Sequence, residues 1–144
     1  MSSIRLTVEE MSFISLFESI TGATAKDCII EDTDNHIIFI VKQGEVGLAI
    51  GKNGSNIKRL KKYVSKPVDL VEYSDNPIQF IKNTLAPARV KSIEIMERSD
   101  GKKIARIDVD PDDRGIAIGK NGKNIAKARI LAKRHFGIED VKIK

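Results

Sequence analysis

The sequence predicts an α+β chain made of two copies of one small unit, each ordered helix, strand, strand, helix, helix, strand. Three observations carry that expectation. Residues 47–58 (G-L-A-I-G-K-N-G-S-N-I-K) and 115–126 (G-I-A-I-G-K-N-G-K-N-I-A) agree at nine of twelve positions, 68 residues apart. A repeat this close within 144 residues marks a duplicated structural unit. Around each copy, helical apolar periodicity alternates in the same order with short isoleucine- and valine-rich runs. A basic block also begins at or just before each glycine turn: residues 51–66 hold six Lys/Arg and residues 114–135 hold seven, with no acid in either.

The elements follow in order. Thr7 and Glu10 form a T-x-x-E capping box, and Val8, Met11, Ile14, Leu16, Phe17 and Ile20 give the helix after it an apolar face that Gly22 ends. Residues 27–31 and 36–42 are expected strands, with D-T-D-N at 32–35 as the turn between them. A short helix over 45–50 leads into the glycine turn. Ser55 or Asn56 is expected to cap the next helix, which runs to about Ser65. Pro67 stops it, and 68–73 is the third strand. In the second copy, Asp75 or Asn76 caps a helix that has Pro77 at its first position and ends near Ala86. Strands follow at 90–97 and 103–109 around S-D-G-K, then a short helix over 112–118, the second glycine turn, a longer helix to Phe136, and a last strand after Gly137. The expected domains are 1–74 and 75–144. The junction Ser74–Asn76 is so short that a fixed packing of the two is expected.

Composition narrows the function. The chain is 41% hydrophobic and 31% charged, as expected of an ordinary globular protein, with a net charge of +5. Residues 1–50 carry a net −5, so the positive charge is concentrated around the repeated turns, where it attracts polyanions. The single cysteine, Cys28, excludes an internal disulfide and is expected to be a buried, inert thiol. No stretch is apolar enough to span a membrane, and the amino terminus lacks signal-peptide features, so a cytoplasmic protein is expected.

The repeated turns carry the chemistry. Gly51 and Gly54 bracket Lys52-Asn53, and Gly119 and Gly122 bracket Lys120-Asn121. Glycine allows the backbone to approach a ligand closely, and N–H groups opening the following helix favour an anion. Lysine adds a point charge and asparagine an amide, but nothing in the turn is a nucleophile or general base. A nucleotide-binding P-loop requires G-x-x-x-x-G-K-[ST]. Here Gly47 and Gly115 stand one residue too close, and Asn53 and Asn121 replace the hydroxyl. The acidic run Asp108, Asp110, Asp112 and Asp113 is read as ending a strand and capping a helix rather than holding a metal. His36 and His135 have no evident partner. The two Tyr and five Phe are expected mainly in the core, as are Ile50, Ile57, Ile118 and Ile125; Leu48 and Ile116, on the short helices, are expected there too, with a place facing the bases as the alternative.

I-G-K-N-G-S-N-I (50–57) and I-G-K-N-G-K-N-I (118–125) resemble the I-G-x-x-G-x-x-I signature of KH domains, which bind single-stranded RNA or DNA. The GXXG loop of such domains clamps about four nucleotides of backbone. Helix and strand preceding this core resemble the type II arrangement, over about 7–73 and 76–144. Two abutting units of this kind resemble the RNA-binding core of NusA transcription termination/antitermination factors, in the compact form of the archaeal NusA-like family. The resemblance implies tandem type II KH domains, each with a three-stranded mixed sheet on helices, and a non-enzymatic protein without cofactor or metal. It implies single-stranded RNA as partner, RNA polymerase as a further candidate, no membrane, a monomer, and a role in transcription termination or antitermination. A role in ribosome assembly or RNA processing through the same surface is the alternative. A scaffold with inactive turns is disfavoured by the Lys and Asn retained in both copies. The expected RNA-binding residues are Gly51, Lys52, Asn53, Gly54, Lys58 and Arg59 in the first unit. In the second they are Gly119, Lys120, Asn121, Gly122, Lys123 and Lys127.

Overall fold

The computed structural model describes residues 4–31 and 36–144. The backbone divides into two compact units, one over Ile4–Ser74 and the other over Asp75–Lys144. In the first, α1 (Val8–Thr21) starts at the expected capping box. The Thr7 hydroxyl accepts from the Glu10 N–H at 3.0 Å, and the Glu10 carboxylate accepts from the Thr7 N–H at 2.8 Å. Strands β1 (Ala25–Ile30) and β2 (Ile37–Val41) pair antiparallel, and β2 pairs in parallel with β3 (Val68–Glu72). The D-T-D-N turn lies outside the described residues. β1 begins two residues earlier than the sequence predicts, with an irregularity in its register between Ala25 and Asp27. The all-apolar run of β2 follows from its central place in the sheet, where every residue is buried.

A parallel β2–β3 pair needs a crossover. That crossover is α2 (Val46–Ile50), a 3-10 turn over Lys52–Gly54, and α3 (Ser55–Val64). The glycine turn therefore sits between two helices of a crossover whose ends are tied to neighbouring strands. Phe17 and Phe39 stack with centroids 4.6 Å apart, and Cys28, Ile37, Val41 and Leu60 complete the core around them.

The second unit repeats the plan. In α4 (Pro77–Leu85), Asn76 is the cap, accepting from the Gln79 N–H at 3.1 Å. β4 (Val90–Glu97) runs antiparallel to β5 (Lys103–Val109), and β5 runs parallel to β6 (Ile138–Ile143). The crossover is α5 (Arg114–Ile118), a 3-10 turn over Lys120–Gly122, and α6 (Lys123–Phe136), which Gly137 ends in a left-handed conformation. The segment expected as one short helix opens instead with a 3-10 turn, Pro111–Asp113, because Asp110 accepts from the Asp112 N–H and Pro111 fixes the entry. Ile81, Leu85, Ile107, Ala128 and Val141 form the core. His36, expected without a partner, lies between Glu31 and Asp69 at 3.9 and 3.4 Å. No helix among the described residues is long and apolar enough to cross a membrane.

Candidate nucleic-acid interface

The two glycine turns have one backbone. Gly51 has φ 77°, ψ 170° and Gly119 φ 80°, ψ 168°. Asn53 and Asn121 are left-handed at φ 56° and 58°, and Gly54 and Gly122 follow at φ 73° and 72°. Asparagine is among the few side chains that tolerate this region, which explains its recurrence at the third turn position. Turns of this kind gather N–H groups into anion-binding concavities. Beyond each turn, α3 and α6 start without a side-chain cap: the Ser55 and Lys123 N–H groups donate to the Lys52 and Lys120 carbonyls, and the positive ends of the helix dipoles face the turn.

The expected capping role of Ser55 or Asn56 is corrected here. The cap position is Gly54, Ser55 is already helical, and Asn56 reaches backwards instead. Its Nδ2 donates to the Leu48 carbonyl of α2 at 2.9 Å, and Asn124 Nδ2 donates to the equivalent Ile116 carbonyl at 3.1 Å. These bonds tie the helix after the turn to the helix before it. The enclosed space is tight: a Cβ on Gly51 would stand 2.9 Å from the Asn56 nitrogen, and one on Gly119 2.7 Å from the Asn124 nitrogen. The two asparagines were missed as turn-positioning residues, although their recurrence 68 residues apart was the available signal.

A second tie fixes the entry to each crossover. The Glu45 carboxylate accepts from the Thr24 N–H at 2.7 Å, and the Asp113 carboxylate accepts from the Arg89 N–H at 2.7 Å. Asp113 also takes the Arg89 guanidinium at 2.9 and 3.2 Å. These hydrogen bonds from Arg89, side chain first and backbone second, hold the Asp113 carboxyl below the usual carboxylate range. Glu45 and Asp113 are themselves 68 residues apart, so the anchor belongs to the repeat, whereas the rest of the acidic run does not.

Lys52, Asn53, Lys58, Arg59, Lys120 and Asn121 are exposed, and among the described residues no ion pair engages Lys52, Lys58, Arg59 or Lys120. Gly51, Gly54, Gly119, Gly122 and Lys123 are partly exposed. Lys127 departs from its expected role: it is only 8% exposed, on the side of α6 that carries Ala128 and Leu131, and is withdrawn from the surface a phosphate would meet. The short helices bring a further correction. Leu48, Ile50, Ile116 and Ile118 are not core; they remain 50, 39, 46 and 37% exposed. A helix of five residues directs little of its surface inward, and here Ala49 and Ala117 occupy the fully buried position. Each turn is thus flanked by an exposed apolar shelf. Ile125 is buried as expected, and Ile57 packs half-buried against the core.

Two units with this element order, each presenting a glycine-framed turn within the crossover, define a tandem KH-domain protein. Residues 14–80 match the KH domain family, and residues 77–144 match the NusA-like second KH domain family. A probable transcription termination protein NusA of Methanocaldococcus jannaschii is 38% identical over 99% of this chain and 76% of its own length. One from Halococcus morrhuae is 38% identical over 97% of this chain and 99% of its own. A crystal structure of a protein designated APE1850 is similar at a TM-score of 0.85 and 43% identity, covering 96% of this chain and 100% of that one. The chain belongs to the NusA-like family of tandem KH-domain proteins.

Proposed function

We propose that this chain binds single-stranded RNA through both glycine turns and acts without catalysis in transcription termination or antitermination. The observation that carries the reading is the repeated turn: matching left-handed backbone, uncapped helix start, exposed lysine and adjacent apolar shelf. Backbone N–H groups and Lys52 or Lys120 take phosphates, while the shelf of Leu48 and Ile50, or of Ile116 and Ile118, receives unpaired bases. A duplex hides those base faces, so single strands are the substrate. The names of the archaeal relatives support the transcriptional role. The protein works in the cytoplasm as a monomer, with RNA polymerase as its second partner on the nascent transcript.

The binding test is fluorescence anisotropy with a labelled RNA of twelve nucleotides, alone and annealed to its complement. Preference for the single strand supports the reading, and equal affinity for the duplex refutes it. Crosslinking in cells separates the roles: nascent transcripts support the transcriptional one, whereas enrichment of ribosomal precursors favours assembly or processing through the same surface. Light scattering tests the monomer against a mass of 16.0 kDa, and co-purification tests the polymerase contact.

A further inference from the structure

The face of α3 beyond the turn carries an aromatic ring that the fold does not use. Tyr63 is 67% exposed, in a chain with two tyrosines and no tryptophan. Arg59 stands one helical turn before it on the same face, and Lys62 adjoins it. The three side chains line a groove of about 460 Å³. Both cations are exposed, and neither pairs with an acid among the described residues.

The repeat shows that the shared fold does not demand this arrangement. At the same offset of 68, Arg59, Lys62 and Tyr63 correspond to Lys127, Ile130 and Leu131. Lys127 and Leu131 are buried, and Ile130 is an exposed aliphatic residue. The second unit therefore forms the same helix with neither the ring nor its two exposed cations. Packing does not explain Tyr63, which lies outside the core of its own unit.

An exposed flat ring beside a guanidinium and an ammonium fits a nucleotide. The base stacks on the ring and the phosphates meet the cations. An acidic peptide would satisfy the cations but leave the ring face unused. The groove lies on the helix that the turn opens. Tyr63 lies eight residues beyond Ser55, or about 12 Å along the helix axis, with exposed Lys58 and Arg59 between them. We infer that Arg59, Lys62 and Tyr63 form an additional nucleotide subsite of the first unit, in which Tyr63 stacks a base outside those held by the turn and the two cations take flanking phosphates. The inference rests on the RNA-binding reading of the turns. It makes two units of the same element order unequal, because the first engages more of the strand than the second.

The test uses the full chain and a twelve-nucleotide oligoadenylate. Tyr63→Ala weakens binding by between about fivefold and about a hundredfold, the span of base–aromatic stacking, and Tyr63→Phe retains it. Replacing Arg59 and Lys62 together by Ala makes the salt slope shallower by about 1.4, at 0.7 per phosphate contact. In a Tyr73→Phe background, the remaining Tyr63 emission is quenched by saturating RNA. Tyr63→Ala is exposed enough to leave the unfolding temperature unchanged. Parental affinity in a folded Tyr63→Ala variant, with unquenched Tyr63 emission, overturns the subsite. Aspartates at Lys52 and Asn53 separate the two claims. If they abolish binding while Tyr63→Ala does nothing, the turn reading stands and the subsite falls. If the aspartates leave binding at the parental level, the turn reading falls and the subsite falls with it, whatever Tyr63→Ala does.

Discussion

Adding one methyl group to the first glycine of a turn is expected to damage the site more than adding it to the second. Gly51 and Gly119 have ψ near 170° at positive φ, a region essentially confined to glycine, where a side chain costs about 1–3 kcal/mol. The new Cβ would also stand 2.9 or 2.7 Å from the backbone nitrogen of Asn56 or Asn124, and backbone cannot swing aside as a flexible side chain can. With overpacking included, Gly51→Ala or Gly119→Ala should cost at least ~2 kcal/mol. In a unit of this size that lowers the melting temperature by roughly 8–16 °C. Gly54→Ala and Gly122→Ala are the controls. Both sites are left-handed, but the first meets nothing closer than 3.7 Å and the second nothing within 4 Å. Their cost is the left-handed penalty alone, ~1–2 kcal/mol. Relief of the clash also displaces the turn N–H groups. Losing one charge-assisted bond of ~1.5–3 kcal/mol then weakens RNA binding by about ten- to a hundredfold. Thermal unfolding followed by circular dichroism, with anisotropy for RNA, measures both effects. Equal losses in Gly51→Ala and Gly54→Ala, or in Gly119→Ala and Gly122→Ala, would refute the proposed crowding.

Three further outcomes are expected. Asn56→Ala and Asn124→Ala each remove the bond between the helices flanking a turn and should cost ~1 kcal/mol by denaturant titration, with weaker RNA binding at unchanged net charge; full retention of both would show that the turn holds itself. Because Asp113 has a depressed carboxyl, its stabilisation is complete above the unfolded carboxylate range and is lost as pH falls through the folded value. Acid titration of Asp113→Asn should therefore show a flatter loss of stability than the parent, and identical curves would contradict the Arg89 anchor. If roughly six phosphates are neutralised, log affinity should fall with log salt at a slope of about −4, so a flat response counts against phosphate clamping.

Local rules made much of the fold legible. The capping box at Thr7, the proline after Asn76 and the glycines at 22 and 137 set the helix ends, and the strands around S-D-G-K fall where their apolar runs are. The site was legible as a repeat but not in its supports. Asn56 looked like a cap because Ser and Asn favour that place, yet Gly54 in the left-handed region fills it and frees the amide to reach eight residues back. Leu48 and Ile50 looked like core because they are apolar, but which side of a one-turn helix meets the core depends on tertiary packing. The same holds for Lys127, whose charge predicted exposure and whose place on α6 buries it.

The central claim is that the two turns carry RNA binding, and replacing Lys52, Asn53, Lys120 and Asn121 together by Asp tests it most directly. Each Lys→Asp removes two units of charge and each Asn→Asp one, taking the net charge from +5 to −1. All four positions are exposed, and aspartate tolerates the left-handed backbone of Asn53 and Asn121, so the units should fold and the turns keep their shape. Loss of at least two charge-assisted contacts of ~1.5–3 kcal/mol each should weaken single-stranded RNA binding by about a hundredfold or more. A folded quadruple variant that binds as tightly as the parent would contradict the claim.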